Sequence, residues 1–124
     1  MATKIATVTD ISQDGSVLLV KWSGLANGDD GAPVQFPEFG DRCVQAAGTF
    51  GAGGTVVWEG TNDTSLSYGG LNNAQASPVS LTAVTQLKQV VEIPRYSRPR
   101  VSAGDGTTAL DVYAILRRSN TMRT

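Results

Sequence analysis

The sequence predicts an all-β chain, an antiparallel β-sandwich of jelly-roll type with about eight short strands. Three observations lead there. Apolar residues recur with period two in most of the ordered-looking segments, as in Leu18, Val20 and Trp22 or Leu110, Val112, Ala114 and Leu116. Turn vocabulary built on glycine, asparagine and aspartate returns every ~8–15 residues. Fourteen glycines in 124 residues, with 40% apolar and 17% charged side chains, describe a turn-rich globular chain. That length fits one domain, placed here at 1–118, and can bury about two thirds of its unfolded surface without a metal or disulfide staple.

In chain order, Thr3–Val8 alternates weakly and reads as a short strand. Asp14-Gly15 marks a tight turn, and Ser16–Ser23 follows with Leu18, Val20 and Trp22 on the core side and Lys21 on the other. Residues 24–41 form a long loop punctuated by Gly24, Gly28, Gly31 and Gly40, longer than connections usually are. Arg42–Ala47 and Thr55–Glu59 are strands around a hairpin turn at Gly51-Ala-Gly-Gly54. That glycine run carries no lysine and precedes a strand, so it does not suit a phosphate-binding loop. Gly60-Thr-Asn-Asp63 is turn chemistry. Residues 64–77 read as loop with one short edge strand near Leu66–Tyr68.

Pro78–Ala83 and Gln86–Ile93 read as two strands. A helical face through Leu81, Val84, Lys88 and Val91 is the alternative, disfavoured by Pro78 and Pro94 at the borders. Tyr96–Ser102 is extended, because Pro99 restricts Arg98. Ala103-Gly-Asp-Gly-Thr107 turns the chain, and Leu110–Leu116 closes it with clean alternation. Residues 119–124 read as a polar tail.

The net charge of −1 hides a split. Residues 1–63 carry three basic and eight acidic side chains, residues 64–85 none, and residues 86–124 seven basic and three acidic. Such a chain either docks head to tail through its charged halves or mixes them within one fold. The acidic balance, with a pI near 5.2, argues against a nucleic-acid partner. No apolar run reaches the ~18 residues of a membrane span, and the first residues show no signal peptide.

The chain has no histidine and one cysteine, so the commonest general base, the commonest metal ligand and any intramolecular disulfide are absent from its chemistry. An enzyme is therefore not expected, nor a cofactor or bound metal. Cys43, inside an alternating strand, is expected to be a buried structural thiol. Asp29, Asp30, Glu38 and Asp41 crowd one loop, but without the Asp-x-Asp-x-Asp-Gly spacing of a calcium loop.

Arg95, Arg98 and Arg100 are the most distinctive cluster. Alternation puts Tyr96, Arg98 and Arg100 on one face, where arginine beside an aromatic suits carboxylate recognition or a protein interface. The plainer reading is a strand face covered by arginine stems. Phe36 and Phe39 flank Pro37 in the acidic loop and either tuck over the end of the sandwich or anchor a partner. These five residues are the candidate interface.

The strings Val56-Val-Trp-Glu-Gly-Thr-Asn-Asp63 and Pro94-Arg-Tyr-Ser-Arg-Pro-Arg-Val101 resemble the discoidin or galactose-binding type of jelly roll. More closely, Asp41-Arg-Cys-Val-Gln-Ala-Ala-Gly-Thr-Phe-Gly51, Glu59-Gly-Thr-Asn-Asp63 and Arg95-Tyr-Ser-Arg-Pro-Arg-Val-Ser-Ala-Gly-Asp-Gly-Thr107 are similar to small head decoration, or cement, proteins of tailed phages and prophages. The resemblance spans roughly residues 29–118. It implies a structural virion protein, made in the host cytoplasm, that sits on the capsid surface, binds the major capsid protein and forms a homo-oligomer, a dimer or trimer. A carbohydrate-binding module of a virion or tail is the alternative. Trp22 and Trp58 argue against it, since both fall on strands that should point them inward.

Overall fold

Eleven strands in two antiparallel-dominated sheets make up the computed structural model, which describes residues 2–118. The expected polar tail at 119–124 lies outside them. An all-β, antiparallel-dominated sandwich is the observed architecture, with eleven strands among the described residues rather than the eight expected, five of them only two residues long.

The first sheet holds β1 (Thr3–Lys4), β4 (Asp30–Gly31), β10 (Tyr96–Ala103), β6 (Thr55–Thr61) and β7 (Gly69–Gly70) in that order, with β8 (Ser80–Leu81) also pairing β6. The second runs β2 (Ala6–Asp10), β3 (Val17–Leu25), β11 (Ala109–Arg117), β5 (Asp41–Thr49), β9 (Lys88–Gln89). Among the described residues only the short β1–β4 pair is parallel. The chain changes sheet between β1 and β2, β3 and β4, β4 and β5, β5 and β6, β8 and β9, β9 and β10, and β10 and β11. The last two long strands then insert between earlier ones, β10 between β4 and β6, β11 between β3 and β5.

Alternation fills the space between the sheets. Leu18, Val20 and Trp22 of β3, Val44 and Ala46 of β5, Val56 and Trp58 of β6, and Leu110, Val112, Ala114 and Leu116 of β11 are all buried. Trp22 and Trp58 meet edge to face at 5.6 Å and 79°, joining the two sheets at their centre. The Trp22 indole Nε1–H donates to the Ala32 carbonyl at 2.9 Å, so its one polar atom is satisfied. Gly31 permits this packing: a Cβ there would stand 2.6 Å from the Trp22 ring.

Several expectations are corrected. The turn at Gly51–Gly54 does not join a hairpin, because β5 and β6 lie in different sheets. It carries the chain across, and the later crossing at 104–108, from β10 to β11, is latched to it. The Ala52 N–H donates to Asp105, and the Thr108 hydroxyl donates to the Phe50 carbonyl at 2.7 Å. The loop 24–41 is not open. It holds the end of β3, all of β4, and a bridge from Val34 to Ser97.

No helix occupies 80–91, and the two strands expected around it shrink to Ser80–Leu81 and Lys88–Gln89. Local links replace longer ladders there. Glu92 accepts the backbone and side-chain N–H of Asn72, and the Val91 N–H donates to the Asn72 carbonyl. The edge strand expected near Leu66–Tyr68 forms just after it, at Gly69–Gly70. Finally, Cys43 is exposed rather than buried. In β5 the core-facing set is Arg42, Val44 and Ala46, so the thiol points outward.

Candidate functional site

The arginines of β10 stand on the outer face of the first sheet, as alternation requires. Pro99 and Val101 point to the core, leaving Tyr96, Arg98 and Arg100 outward and half-buried. The register places Arg98 directly across from Glu59 of β6, and Arg100 across from Asp30 of β4 and Val57 of β6. The outcome is an ion-pair network within the chain. Arg98 Nη1 lies 3.2 Å from Asp30 Oδ2, and its Nη2 lies 3.2 Å from Glu59 Oε1. Its Nε also donates to Glu59 Oε1 at 3.3 Å. Arg100 Nε donates to Glu59 Oε2 at 2.8 Å.

The Arg98 guanidinium is roofed by the Tyr68 ring, 3.8 Å from its centroid. It is therefore held by two carboxylates and an aromatic face, with all three nitrogens engaged. Arg100, 40% exposed at its side chain, uses only Nε in this network. Its Nη atoms are the part of the cluster that faces outward with a fork suited to a carboxylate. Arg95 lies over the Tyr96 ring at 5.0 Å.

The acidic loop supplies structure to the same region. Asp29 and Asp30 are buried. Asp29 accepts the N–H of Ala26 and of Ala2, and these hydrogen bonds, Ala26 first, hold its carboxyl below the usual range against the opposing cost of burial. Asp30 accepts the Thr3 hydroxyl at 2.6 Å as well as Arg98. Among the described residues no group of three or more Cys, Asp or Glu is placed to hold a metal ion, and no buried side-chain nitrogen or oxygen lacks a partner.

Arg42 is the residue that the sequence least advertised. It is buried at the end of β5, where Nε donates to the Phe39 carbonyl, Nη2 to the Phe36 carbonyl and Nη1 to the Ser97 hydroxyl. Burial pulls its pKa down, while Glu38 nearby opposes that shift. The guanidinium ties the 36–39 turn to β10. This corrects the reading of Phe39 as a partner-facing anchor: its ring is 4% exposed and belongs to the core. Phe36 packs against that core and meets Phe39 edge to face at 5.6 Å. The two phenylalanines tuck over the end of the sandwich.

Of the five candidates, the structure thus brings Tyr96, Arg98 and Arg100 together and places Phe36 and Phe39 in a separate, largely interior cluster. Glu59, Asp30 and Tyr68 are the partners that sequence reasoning missed. Alternation in β6 offered a signal for one of them, since Val56 and Trp58 inward leave Glu59 on the outer face. The charge split also finds its place: Arg98, Arg100 and Arg117 from the basic half meet Asp30, Glu59 and Asp41 from the acidic half inside one chain.

Large apolar side chains, by contrast, are left exposed along both edges of the second sheet. Ile5, Val8 and Ile11 lie at the β2 edge, and Val84, Leu87, Val91 and Ile93 lie in the segment around β9. An open groove of about 460 Å³ on the outer face of this sheet is lined by Val17, Cys43, Ile115, Gln89 and the Asp41–Arg117 pair. No helix among the described residues is long and apolar enough to cross a membrane. No family model, no curated protein and no solved structure matches the chain.

Proposed function

We propose that this chain is a structural virion protein, a capsid decoration subunit that binds the outer surface of a phage head and stabilises it by bridging capsomers. The observation that carries this reading is the division of labour on the surface. The ionisable side chains that could serve a ligand, Asp29, Asp30, Arg42, Glu59 and Arg98, are committed to internal partners. Seven of the eight exposed large hydrophobics among the described residues, all but Leu66, lie along the edges of one sheet. A surface of that kind suits contact with protein, where apolar area and a polar rim do the work, more than recognition of a small molecule in a pocket.

The resemblance to head decoration proteins supplies the identity of the partner, the major capsid protein. We assign the capsid contact to the rim formed by Val84, Leu87, Val91 and Ile93. The carbohydrate-binding alternative gains nothing from these aromatic residues: Trp22 and Trp58 meet edge to face in the core, and Tyr68 covers Arg98.

The test is co-sedimentation of the purified chain with phage heads lacking it, beside a glycan array. Saturable binding to heads and a blank array support the proposal. Specific glycan hits without head binding overturn it in favour of the carbohydrate-binding module.

A further inference from the structure

The first strand of the second sheet is an open edge of an unusual kind. β2 pairs with β3 on one side only. The Ile11 N–H donates to the Val17 carbonyl, and the register runs Thr9 to Leu19 and Thr7 to Lys21. Alternation of the ladder then turns the N–H and C=O groups of Ala6, Val8 and Asp10 away from the sheet, toward the open edge. Edge strands are ordinarily blunted by proline, lysine, a bulge or a covering loop. Within Ala6–Asp10, β2 has no proline, lysine or bulge, and its single charge, Asp10 at its end, is taken up by the N–H groups of Ser12, Gln13 and Gly15. Its flanking residues Ile5 and Ile11 are 81% and 51% exposed. Val8 sits across from Val20, on the core-facing side, yet remains 45% exposed because the sandwich is open there.

We infer that the β2 edge is a dimerisation surface on which the occupant is the β2 edge of a second copy, paired antiparallel about a two-fold axis through Val8. The sequence of this edge is complementary to itself in that register. Val8 meets Val8, Thr7 meets Thr9, Ala6 meets Asp10, and Ile5 of each copy meets Ile11 of the other. The outward-pointing groups fall at Ala6, Val8 and Asp10, so the Val8 pair and both Ala6–Asp10 pairs exchange backbone hydrogen bonds, about six in all. The exposed isoleucines cover each other at both ends.

The contact is isologous and closes after two copies, joining two five-stranded sheets into one continuous sheet and extending the core across the axis through the Val8 pair. It uses a different surface from the proposed capsid rim, so it stands or falls separately from the function proposed above.

Three measurements test it on the full chain. Sedimentation velocity across a concentration series is expected to show a monomer–dimer equilibrium. Ile5→Lys, at a position too exposed to affect folding, should weaken the dimer about ten-fold or more by removing one apolar pair at each end. Val8→Pro deletes only an outward-pointing N–H and should abolish dimerisation; circular dichroism confirms that it folds. In a Cys43→Ser background, a mixture of Thr7→Cys and Thr9→Cys chains should form an interchain disulfide on mild oxidation, while either chain alone should not. A monomer at every concentration, a dimer that survives both Ile5→Lys and Val8→Pro, or equal cross-linking in the single-chain controls overturns the proposal.

Discussion

Replacing Arg98 with alanine should lower stability substantially, although the residue is on the outer face of a sheet. Its guanidinium is the partner of two carboxylates that the fold keeps from water: side-chain exposure is 8% for Asp30, 13% for Glu59 and 20% for Arg98 itself. Removing one member of a well-buried ion pair costs about 3–5 kcal/mol, because the remaining charge stays desolvated without compensation. Here the penalty is softened. The Thr3 hydroxyl still serves Asp30, Arg100 still serves Glu59, and water can enter from the exposed fifth of the Arg98 site. A cost of about 2–3 kcal/mol follows. For a chain of this size each kcal/mol moves the Tm by roughly 3–5 °C, so the expected drop is about 6–15 °C. Arg100→Ala is the internal control. Its side chain is 40% exposed and makes one bond to Glu59, which places its contribution at or below about 1 kcal/mol. Calorimetry of both variants, completed by an Asp30→Asn, Arg98→Ala double-mutant cycle, measures the difference. If Arg98→Ala melts within about 2 °C of the parent, or no lower than Arg100→Ala, the network is ornamental and the reasoning fails.

Three further outcomes are expected. Arg42→Met should cost about 2 kcal/mol by leaving the Phe36 and Phe39 carbonyls without their donor, and limited proteolysis should then cut near 33–40 first. Gly31→Ala forces a methyl against the Trp22 ring and Pro99, and should lower stability by about 1–3 kcal/mol with a change in tryptophan near-ultraviolet dichroism. Acid should destabilise the fold in a defined window. The Ser16 and Ser12 hydroxyls hold Asp14 at about 2, and the Thr107 hydroxyl with the Ala52 N–H holds Asp105 at about 2, against an ordinary 3.8. Folded-state values below the unfolded ones mean that this stabilisation is complete above about pH 4 and is lost as pH falls toward 2. A Tm that stays flat through that window would contradict it.

The long strands were legible because each buries one face and so writes period two into the sequence: Leu18–Trp22 and Leu110–Leu116 are the clearest. Where pairing is only two residues long, as at Ser80–Leu81 and Lys88–Gln89, the path is set by contacts distant in sequence, such as Glu92 with Asn72, and local pattern overestimates the strand. Cys43 was misplaced although a signal existed. Gln45 shares its parity, while Val44 and Ala46 share the other, so the polar residue two positions on marks the outward face. The shared face of Tyr96, Arg98 and Arg100 followed from alternation alone. Their partners did not, because Asp30 and Glu59 come from strands whose order in the sheet a single sequence does not reveal. Burial of Asp29, Asp30 and Arg42 was illegible for the same reason: charged residues enter an interior only where donors and acceptors from elsewhere in the chain meet them.

Hydrogen–deuterium exchange of the chain, free and bound to phage heads that lack it, tests the proposed function most directly. The account predicts saturable binding with new protection concentrated in the segment 84–93, where Val84, Leu87, Val91 and Ile93 are exposed, and little change across Tyr96–Val101, whose arginines are already held within the chain. No binding to heads, or binding that protects the β10 face and leaves 84–93 unchanged, would contradict it.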